Sequence, residues 1–418
     1  MANLSAAVSG ALAAAAESGG LLPEGFDADA LDATLRDLRE HLSLVTLSLA
    51  SRPEKGSRGL RACTVLTVAG PVAVHRRYTP GGGRPQSPAF SGCRRRVTRG
   101  AVKSLCKCGA TLGSLGEAAR TVGELLRFSV SPWRVRTLTL DEGRRLCEAA
   151  PARSPAFGRP AAIPGRTAAV RQTMLVSADG TCVPCAKADT EGVPGRDGLP
   201  ARSRELKVGM VGVYDRLGRD GAPVIPANRR QYAVTHLGAQ EIGSKVLALA
   251  RELGLGSVPR VQYIGDGAAW VAGIAGCAFK GAEVTVDFYH ACSYLSTLCR
   301  ELGVAGHEQS FRLARRIMKA YSADSALRHL RKKHPAQMKL LNEPAAAAYA
   351  YLADRARNMQ YGRLRKQGFF IASGHIESAC KFIVGSRCKQ AGMHWRHHNA
   401  AYVSAIRAAI RSNTFWVT

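Results

Sequence analysis

The sequence is short of acidic residues and of long apolar stretches. Over 418 residues, 31 Asp and Glu stand against 59 Lys and Arg, which leaves a formal net charge of +28. This imbalance excludes an acidic disordered regulator and favours a polyanionic partner. No apolar run reaches the roughly 18 residues that a membrane-spanning helix needs. The Ala-rich start lacks the preceding Lys or Arg of a secretory signal, so we expect a cytoplasmic protein without a membrane segment.

The cysteines are too scattered for a disulfide framework. All 12 lack a repeating spacing, which favours reduced thiols. Cys182 and Cys185 form the only Cys-x-x-Cys pair, and no second pair stands at zinc-ribbon spacing, so packed thiols are favoured over zinc. Cys93, Cys106 and Cys108 do not form two Cys-x-x-Cys arms either.

Small elements are predicted in the amino-terminal part. Helical periodicity over residues 27–49 indicates a surface or oligomer helix. The β-rich pattern over 64–78 turns at Gly70 and predicts a hairpin, followed by a Gly/Pro-rich loop over 80–88. A Pro-rich linker is predicted over 151–164.

Between the hairpin and the linker, two helical patterns flank residues 128–132. Ser131 can cap the second helix, with Pro132 in its first turn. This order is compatible with a helix-turn-helix motif whose second helix carries Arg134 and Arg136 to DNA. An ordinary helical hairpin with solvated arginines is the alternative, because the turn is longer than in the tightest such motifs.

Five β patterns follow the linker, over residues 173–181, 207–215, 231–237, 258–267 and 282–290. A helix is predicted between the third and fourth strands, and a short helical link between the fourth and fifth. This order is typical of a ribonuclease H-like mixed sheet, so the predicted class is α/β. Beyond His290 the pattern is helical, with basic runs around 312–319, 328–333 and 355–366.

Three acids stand where metal-dependent phosphoryl transfer would need them. Asp179 and Asp266 end the first and fourth predicted strands, which are neighbours in such a sheet, and a glycine follows each. Glu377 lies near the start of a predicted helix, from which it could face the other two. This chemistry requires a few carboxylates that hold two Mg²⁺ or Mn²⁺ ions about 3.5 to 4 Å apart.

Each acid alone has a simpler interpretation, because Asp-Gly is a common turn. Asp287, on the fifth predicted strand and three residues before His290, is the alternative second ligand. We expect Asp287 and His290 to support the site, since two-metal chemistry does not require a histidine base.

Four ordered blocks carry a family resemblance: GDGAAWV from Gly265, DFYHA from Asp287, SGHIESACK from Ser373 and RCKQAGMHW from Arg387. They resemble the signature blocks of DDE transposases from bacterial insertion sequences, in the Kra-type branch related to the mutator superfamily. The resemblance runs over about 174–416 and, more faintly, through the amino-terminal half. Two departures are Ala372, in place of a glycine before the glutamate block, and the absence of cysteine over 79–88.

The resemblance implies Asp179, Asp266 and Glu377 as the catalytic metal ligands. It also implies a helical insertion over 292–371, DNA cleavage at the ends of a mobile element, and joining of the 3′-hydroxyl to target DNA. A ribonuclease H-like structure-selective nuclease and an inactive DNA-binding protein derived from a transposase are the alternatives.

DNA is the expected partner, as terminal inverted repeats and as target, for a nucleoid-associated homo-oligomer. Basic helices would neutralise its phosphates. The residues predicted to contact DNA are Arg134, Arg136, Arg331, Lys332, Lys333, Lys381, Arg387 and Lys389. For residues 331–333, a solvated helix face is the alternative.

The predicted domain boundaries follow from these patterns. They are an N-terminal helical segment (1–60), a hairpin with a helix-turn-helix-like region (61–150), a linker (151–170), a catalytic core (171–290), a helical insertion (291–370) and C-terminal helices (371–418).

Overall fold

The computed structural model describes residues 58–68, 70–78, 96–126, 128–149, 172–195, 198–219, 221–303 and 306–415. The chain divides into two compact units, one of residues 1–105 with 116–132 and one of 106–115 with 133–418. The predicted helix over 27–49, the loop over 80–88 and the linker over 151–164 lie outside the described residues. No helix among those described is long and apolar enough to cross a membrane.

The predicted hairpin is confirmed in the first unit. β1 (Arg58–Thr67) pairs antiparallel with β2 (Gly70–Tyr78), and it begins six residues before the pattern that predicted it. Gly70 has a φ of 108°, a backbone region that glycine tolerates without a steric penalty. Leu66 extends the pairing through an isolated bridge to Val97.

Three helices follow the hairpin: α1 (Arg99–Thr111), α2 (Leu115–Leu126) and α3 (Pro132–Glu148). The two helical patterns around residues 128–132 are therefore confirmed as α2 and α3. From Trp133 onward α3 belongs to the second unit, whereas residues 116–126 of α2 belong to the first. The predicted helix-turn-helix thus spans two compact units.

The second unit contains a mixed, open five-stranded sheet in the order β5-β4-β3-β6-β7. Its strands are β3 (Thr173–Pro184), β4 (Ser203–Tyr214), β5 (Arg230–Thr235), β6 (Arg260–Gly265) and β7 (Glu283–Val286). β4 pairs antiparallel with β3 and β5, whereas β3, β6 and β7 run parallel. The five predicted strands and the α/β class are confirmed.

Both faces of the sheet are covered, which explains the continuous apolar run in β3. On one face, Val176 and Val211 share a core with Ile242 of α5 (Ala239–Glu252) and with α6 (Ala269–Ala278). On the other, Leu175 and Val208 share a core with the carboxyl-terminal helices. The side chain of Asp179 is on this second face, because Asp179 pairs with Val208.

The carboxyl-terminal third is helical, as predicted. The remaining helices are α4 (Lys187–Thr190), α7 (Phe288–Glu301), α8 (His307–Ala320), α9 (Ala323–Lys333), α10 (Glu343–Asp354), α11 (Tyr361–Lys366), α12 (Gly374–Ala379), α13 (Ser386–Cys388) and α14 (His397–Arg411). Helices α7 to α11 enclose a core of their own that includes Leu295, Leu327 and Leu352. A π-helical turn, Cys380–Gly385, connects α12 to α13.

Helix α3 packs on the second unit through its carboxyl-terminal half. Lys245 Nζ donates a hydrogen bond to the Cys147 carbonyl at 2.6 Å, and Tyr402 Oη donates to Glu148 Oε1 at 2.8 Å. An added Cβ at Gly143 would lie 2.3 Å from the Tyr402 carbonyl, so only glycine permits this approach. The predicted boundary at 151–170 therefore does not separate the two units, and a fragment ending there would remove α3 from its packing partners.

Candidate active site

Asp179 and Asp266 occupy equivalent positions on two neighbouring parallel strands. The pairing of β3 with β6 ends with Ser177 opposite Ile264. Both aspartates lie two residues beyond that pair, and both are half-buried. Since neighbouring strands are about 4.8 Å apart, the equal offset brings the two acids to the same edge of the sheet.

The turn that contains Asp266 is held from both sides. Asp266 Oδ1 accepts the N–H of Ala268 at 2.9 Å, and Gly267 has a φ of +79°. From helix α10, Tyr351 Oη donates to the Asp266 carbonyl, and Arg355 Nε donates to the Gly267 carbonyl at 3.1 Å. Helix α10 therefore fixes the backbone of this turn.

Glu377 comes from helix α12, on the same face of the sheet as Asp179. Ile376 packs into the core of that face and leaves the adjacent Glu377 exposed. Ser373 Oγ donates to Glu377 Oε1 at 3.0 Å. One turn after Glu377, the Cys380 thiol donates to Asp179 Oδ2 at 3.8 Å. The helix thus lies directly beside Asp179.

The pKa of the Asp179 carboxyl is raised above its ordinary value. Burial is the largest cause, and the negative charges of Asp266 and Glu377 add to it, against hydrogen bonds from the Gly180 N–H and the Cys380 thiol that lower it. The three carboxylates are therefore within electrostatic range of one another. Burial also raises the pKa of the Cys380 thiol, and the nearby Asp179 charge raises it further. At neutral pH this thiol is protonated and can donate.

The donor set at this edge suits a hard divalent cation. Mg²⁺ prefers carboxylate oxygens, and a cation here would offset the repulsion that raises the pKa of Asp179. In the described part of the chain, no three His, Cys, Asp or Glu side chains form a group that could hold a metal ion as they stand. Binding one between Asp179, Asp266 and Glu377 would require these side chains to rotate toward one another.

Asp287 is bound into the fold at the end of β7. Its side chain is buried, with 1% of the residue exposed. Asp287 Oδ1 accepts the N–H of His290 at 2.5 Å and so caps α7. Asp287 Oδ2 accepts the N–H of Ser373 at 2.6 Å. Both oxygens are thus engaged by backbone donors. Asp287 connects β7 to the segment that leads into Glu377, a supporting position, whereas His290 contributes its backbone N–H and exposes its ring.

The Cys-x-x-Cys pair lies at the end of β3. Cys185 is buried and its thiol donates to the Val183 carbonyl at 3.4 Å, whereas Cys182 is exposed. Burial raises the pKa of the Cys185 thiol, which keeps it protonated at neutral pH. Cys106 is buried and reduced, and Cys93 lies outside the described residues.

Two of the basic residues predicted near the acids are exposed. Lys389 Nζ donates to Thr181 Oγ1 at 2.6 Å, two residues beyond Asp179 on β3, and Lys381 is exposed on the π-helical turn. Arg387 is only 2% exposed, with its guanidinium carbon 5.1 Å from the centroid of the Trp395 ring. Its contact with DNA stays a prediction, and its side chain lies in the wall of a cavity and not on the outer surface.

The remaining basic residues lie farther along the chain. Arg136 is exposed and Arg134 is half-buried in the first turns of α3. Arg331, Lys332 and Lys333 are all exposed in the last turn of α9. Their contact with DNA stays a prediction.

Sequence reasoning missed four residues that hold the acids in place. Ser373 and Cys380 lie four residues before and three residues after Glu377, so helical spacing within the glutamate block could have identified them. Tyr351 and Arg355 are 85 and 88 residues from the backbone groups they bind. No local pattern could have indicated those two contacts.

A scan against protein-family models finds no matching family, and a search of curated proteins finds no match. The transposase resemblance therefore depends on the four quoted blocks and on the arrangement around the three acids. The chemistry of those side chains is the basis on which a function can be proposed.

Proposed function

We propose that the chain is a DDE transposase of a bacterial insertion sequence, which cleaves DNA at the element ends and joins the 3′-hydroxyl to target DNA. The observation that carries the proposal is the equal offset of Asp179 and Asp266 beyond a parallel strand pair, with Glu377 near enough to raise the pKa of Asp179. The strand order and directions support a ribonuclease H-like version of the mixed sheet.

Asp179, Asp266 and Glu377 would hold two Mg²⁺ or Mn²⁺ ions, which supply an activated oxygen nucleophile and charge stabilisation at phosphorus. The chain's own contribution is to keep these carboxylates near one another. Asp287 holds the Ser373 backbone and so positions the start of the glutamate helix. The Cys380 thiol orients the Asp179 carboxylate by donating to it.

The charge of the chain supports DNA as the partner of this site. Lys389 lies at the same edge as Asp179, and an exposed cluster of Arg331, Lys332 and Lys333 ends α9. Joining two element ends to a target requires both ends in one complex, so we expect at least two protomers on DNA. The protein would act in the cytoplasm, where it would associate with the nucleoid.

Salt dependence tests the phosphate contacts. Each phosphate neutralised adds about 0.9 to the slope of log K against log salt concentration. Replacing Arg331, Lys332 and Lys333 together by Glu should flatten that slope without changing the preferred DNA sequence, because phosphate contacts carry no base information. Parallel lines for wild type and variant would mean that these side chains are a solvated helix face.

Strand cleavage and joining test the acids. With duplex DNA from the inverted repeats and Mg²⁺, we expect Asp179→Asn, Asp266→Asn and Glu377→Gln each to lower cleavage by at least about 10³-fold, or roughly 4 kcal/mol of barrier. End binding should stay near the wild-type level, because the basic surface is unchanged. Glu191→Gln, at an exposed acid outside the site, is the matched control.

Each other outcome has a specific meaning. Near-normal cleavage by Asp266→Asn would contradict the proposed site. Cleavage by the wild type without any joined product would favour a structure-selective nuclease. Binding of the ends without cleavage would favour a DNA-binding protein derived from a transposase.

A further inference from the structure

The sequence block from Arg387 to Trp395, which the proposed chemistry does not use, forms one wall of a cavity of about 450 Å³. Helix α3 contributes to the same lining, and every lining residue belongs to the second unit. The lining residues that carry the argument are Arg136, Thr139, Arg387, His394, Trp395 and Arg396. A volume of this size is typical of small-ligand sites, which commonly occupy about 300 to 1,000 Å³.

The charge of the cavity selects an anion. The lining contributes three arginines and one histidine, and it includes no Asp or Glu. Arg396 Nε lies 3.2 Å from Asp189 Oδ2, outside the lining, so its charge is partly offset. Arg136 is exposed at the cavity, and Arg387 lies buried in the wall. Guanidinium groups bind phosphate through several planar N–H donors, which makes a phosphate the expected anion.

Trp395 supplies a ring that is held in place. Its backbone N–H donates to the Pro184 carbonyl at 3.0 Å, and its own carbonyl accepts the Ala186 N–H at 2.9 Å. The Arg387 guanidinium lies over the indole, so cation and ring act together. A fixed tryptophan beside cationic groups is the arrangement on which nucleic-acid bases stack.

Two polar atoms of the lining are buried and lack a hydrogen-bond partner among the described residues. They are Trp395 Nε1 and Thr139 Oγ1. Buried polar groups in proteins are nearly always hydrogen-bonded, so such atoms indicate a missing acceptor or donor. The Trp395 Nε1–H needs an acceptor, and the Thr139 hydroxyl can donate or accept; a heterocyclic base offers atoms of both kinds.

We propose that this cavity binds a single nucleotide, with its base against Trp395 and its phosphate at Arg136 and Arg387. The nucleotide is either free or one unit of a DNA strand, and only this second source rests on the proposed function. The position favours the strand, because Trp395 is bonded to Pro184, five residues along β3 from Asp179. That separation is about 16 Å along an extended strand, within reach of DNA held at the acids.

Calorimetric titration of the full-length protein tests the proposal and separates the two sources. The ligands are the four deoxynucleoside 5′-monophosphates, inorganic phosphate, and a six-nucleotide single strand with or without one abasic position. We expect nucleotides or the intact strand to bind at least about tenfold more tightly than phosphate. The reason is that stacking of a base on an aromatic side chain contributes substantially to the free energy of binding. Binding of the monophosphates indicates a free nucleotide. Binding of the intact strand alone, weakened by the abasic position, indicates a unit of DNA.

Four variants make the test specific. Trp395→Leu should weaken nucleotide binding by about tenfold or more, whereas Trp395→Phe should stay within about threefold, because it retains a stacking ring. Trp133→Leu, at a tryptophan on α3 that is 66% exposed and outside the lining, should bind as wild type. Arg136→Gln removes an exposed cation and should weaken binding about tenfold, which keeps the test valid if Trp395→Leu does not fold.

Two results would overturn the proposal: nucleotides and the intact strand that bind no better than phosphate, or equal nucleotide affinity for wild type and Arg136→Gln. Asp266→Asn distinguishes this failure from that of the proposed function. This variant should lose strand cleavage and keep nucleotide binding, since Asp266 does not line the cavity. Loss of both properties by Asp266→Asn would argue against a separate nucleotide site.

Discussion

The ends of β6 and β7 are alike in sequence and differ in the use of their acid. The two strands pair in parallel up to Gly265 opposite Val286, and an aspartate follows each at once, Asp266 or Asp287. Asp287 is buried, and backbone N–H groups occupy both of its carboxylate oxygens. Asp266 is half-buried, and one of its oxygens accepts the N–H of Ala268.

The difference shows that a place at a strand end does not by itself make a metal ligand. Transferring the Asp287 carboxylate to a cation would leave two backbone N–H groups in the interior without their acceptor, at a cost in free energy. Asp266 retains lone pairs at an accessible edge. Hydrogen-bond occupancy thus separates a positioning acid from a candidate ligand where sequence position cannot.

The largest expected effect is on stability at the β7 end. Asp287→Ala removes the acceptor of two buried N–H groups, and we expect it to lower the free energy of unfolding by about 2 to 5 kcal/mol. Asp266→Asn should leave stability within about 0.5 kcal/mol of wild type and remove cleavage. Urea denaturation measures the first effect. Equal stability of the two variants would contradict the assignment of Asp287 as a positioning acid and Asp266 as a candidate ligand.

The next effect concerns the turn after β6. Gly267→Ala places a Cβ at a φ of +79°, 2.8 Å from Tyr351 Oη and 3.2 Å from Arg355 Cδ. We expect a loss of about 1 to 3 kcal/mol in stability and weaker metal-dependent cleavage, because Asp266 moves with the turn.

Gly281→Ala is the matched control for that variant. Gly281 precedes β7 with a φ of +89°, and an added Cβ there would meet no atom within 4 Å. It therefore carries the same backbone strain without the contacts to helix α10. If Gly281→Ala reduced cleavage as much as Gly267→Ala, the contacts at the β6 end would have no special role.

A smaller effect is expected from the hydroxyl of Tyr351. Tyr351→Phe removes the hydrogen bond to the Asp266 carbonyl and keeps the ring, which stacks on Tyr294 with centroids 3.6 Å apart. We expect a stability loss of about 0.5 to 1.5 kcal/mol and a higher Mg²⁺ concentration for half-maximal cleavage. Tyr289→Phe, at a tyrosine that is 60% exposed, should change neither quantity.

The smallest effect is a pH dependence of stability that arises from Asp179 in β3. Folding raises the pKa of Asp179, so the native state keeps this proton to higher pH than the unfolded chain. The group therefore destabilises the fold as pH rises through and above the ordinary aspartate value of about 3.9. With a metal chelator present, Asp179→Asn should raise Tm at pH 7 by about 1 to 2 °C relative to wild type. This difference in Tm should vanish near pH 3. An equal gain at both values would contradict a charge effect.

Local signals made the sheet predictable. Alternating or continuous apolar residues predicted the five strands, which the structure confirms. Asp266 directly follows β6, whereas β3 continues past Asp179 and Gly180 to Pro184, still paired with β4, so the predicted strand end at Asp179 is wrong. The helix at Glu377 was readable from Ser373 and Gly374, since it begins at Gly374. These features depend on residues a few positions apart.

The remaining features depend on contacts between distant residues. Asp287 differs from Asp266 because of the Ser373 N–H, 86 residues later, and no spacing rule encodes that bond. Arg387 follows a basic pattern that favours solvent, yet it is buried against Trp395. The sequence pattern assigns helix α3 to an amino-terminal domain, although its Gly143 and Cys147 pack against the rest of the second unit.

The π-helical turn Cys380–Gly385 determines how the chain tolerates insertions and deletions. A π turn holds one residue more than an α turn. Deleting a single residue inside it would therefore restore a regular helix and leave Arg387 close to its present orientation. Deleting one in the regular turns of α12 would instead rotate the residues downstream by about 100° relative to those before it. The π turn is thus the place in this segment where a change in length disturbs the fold least.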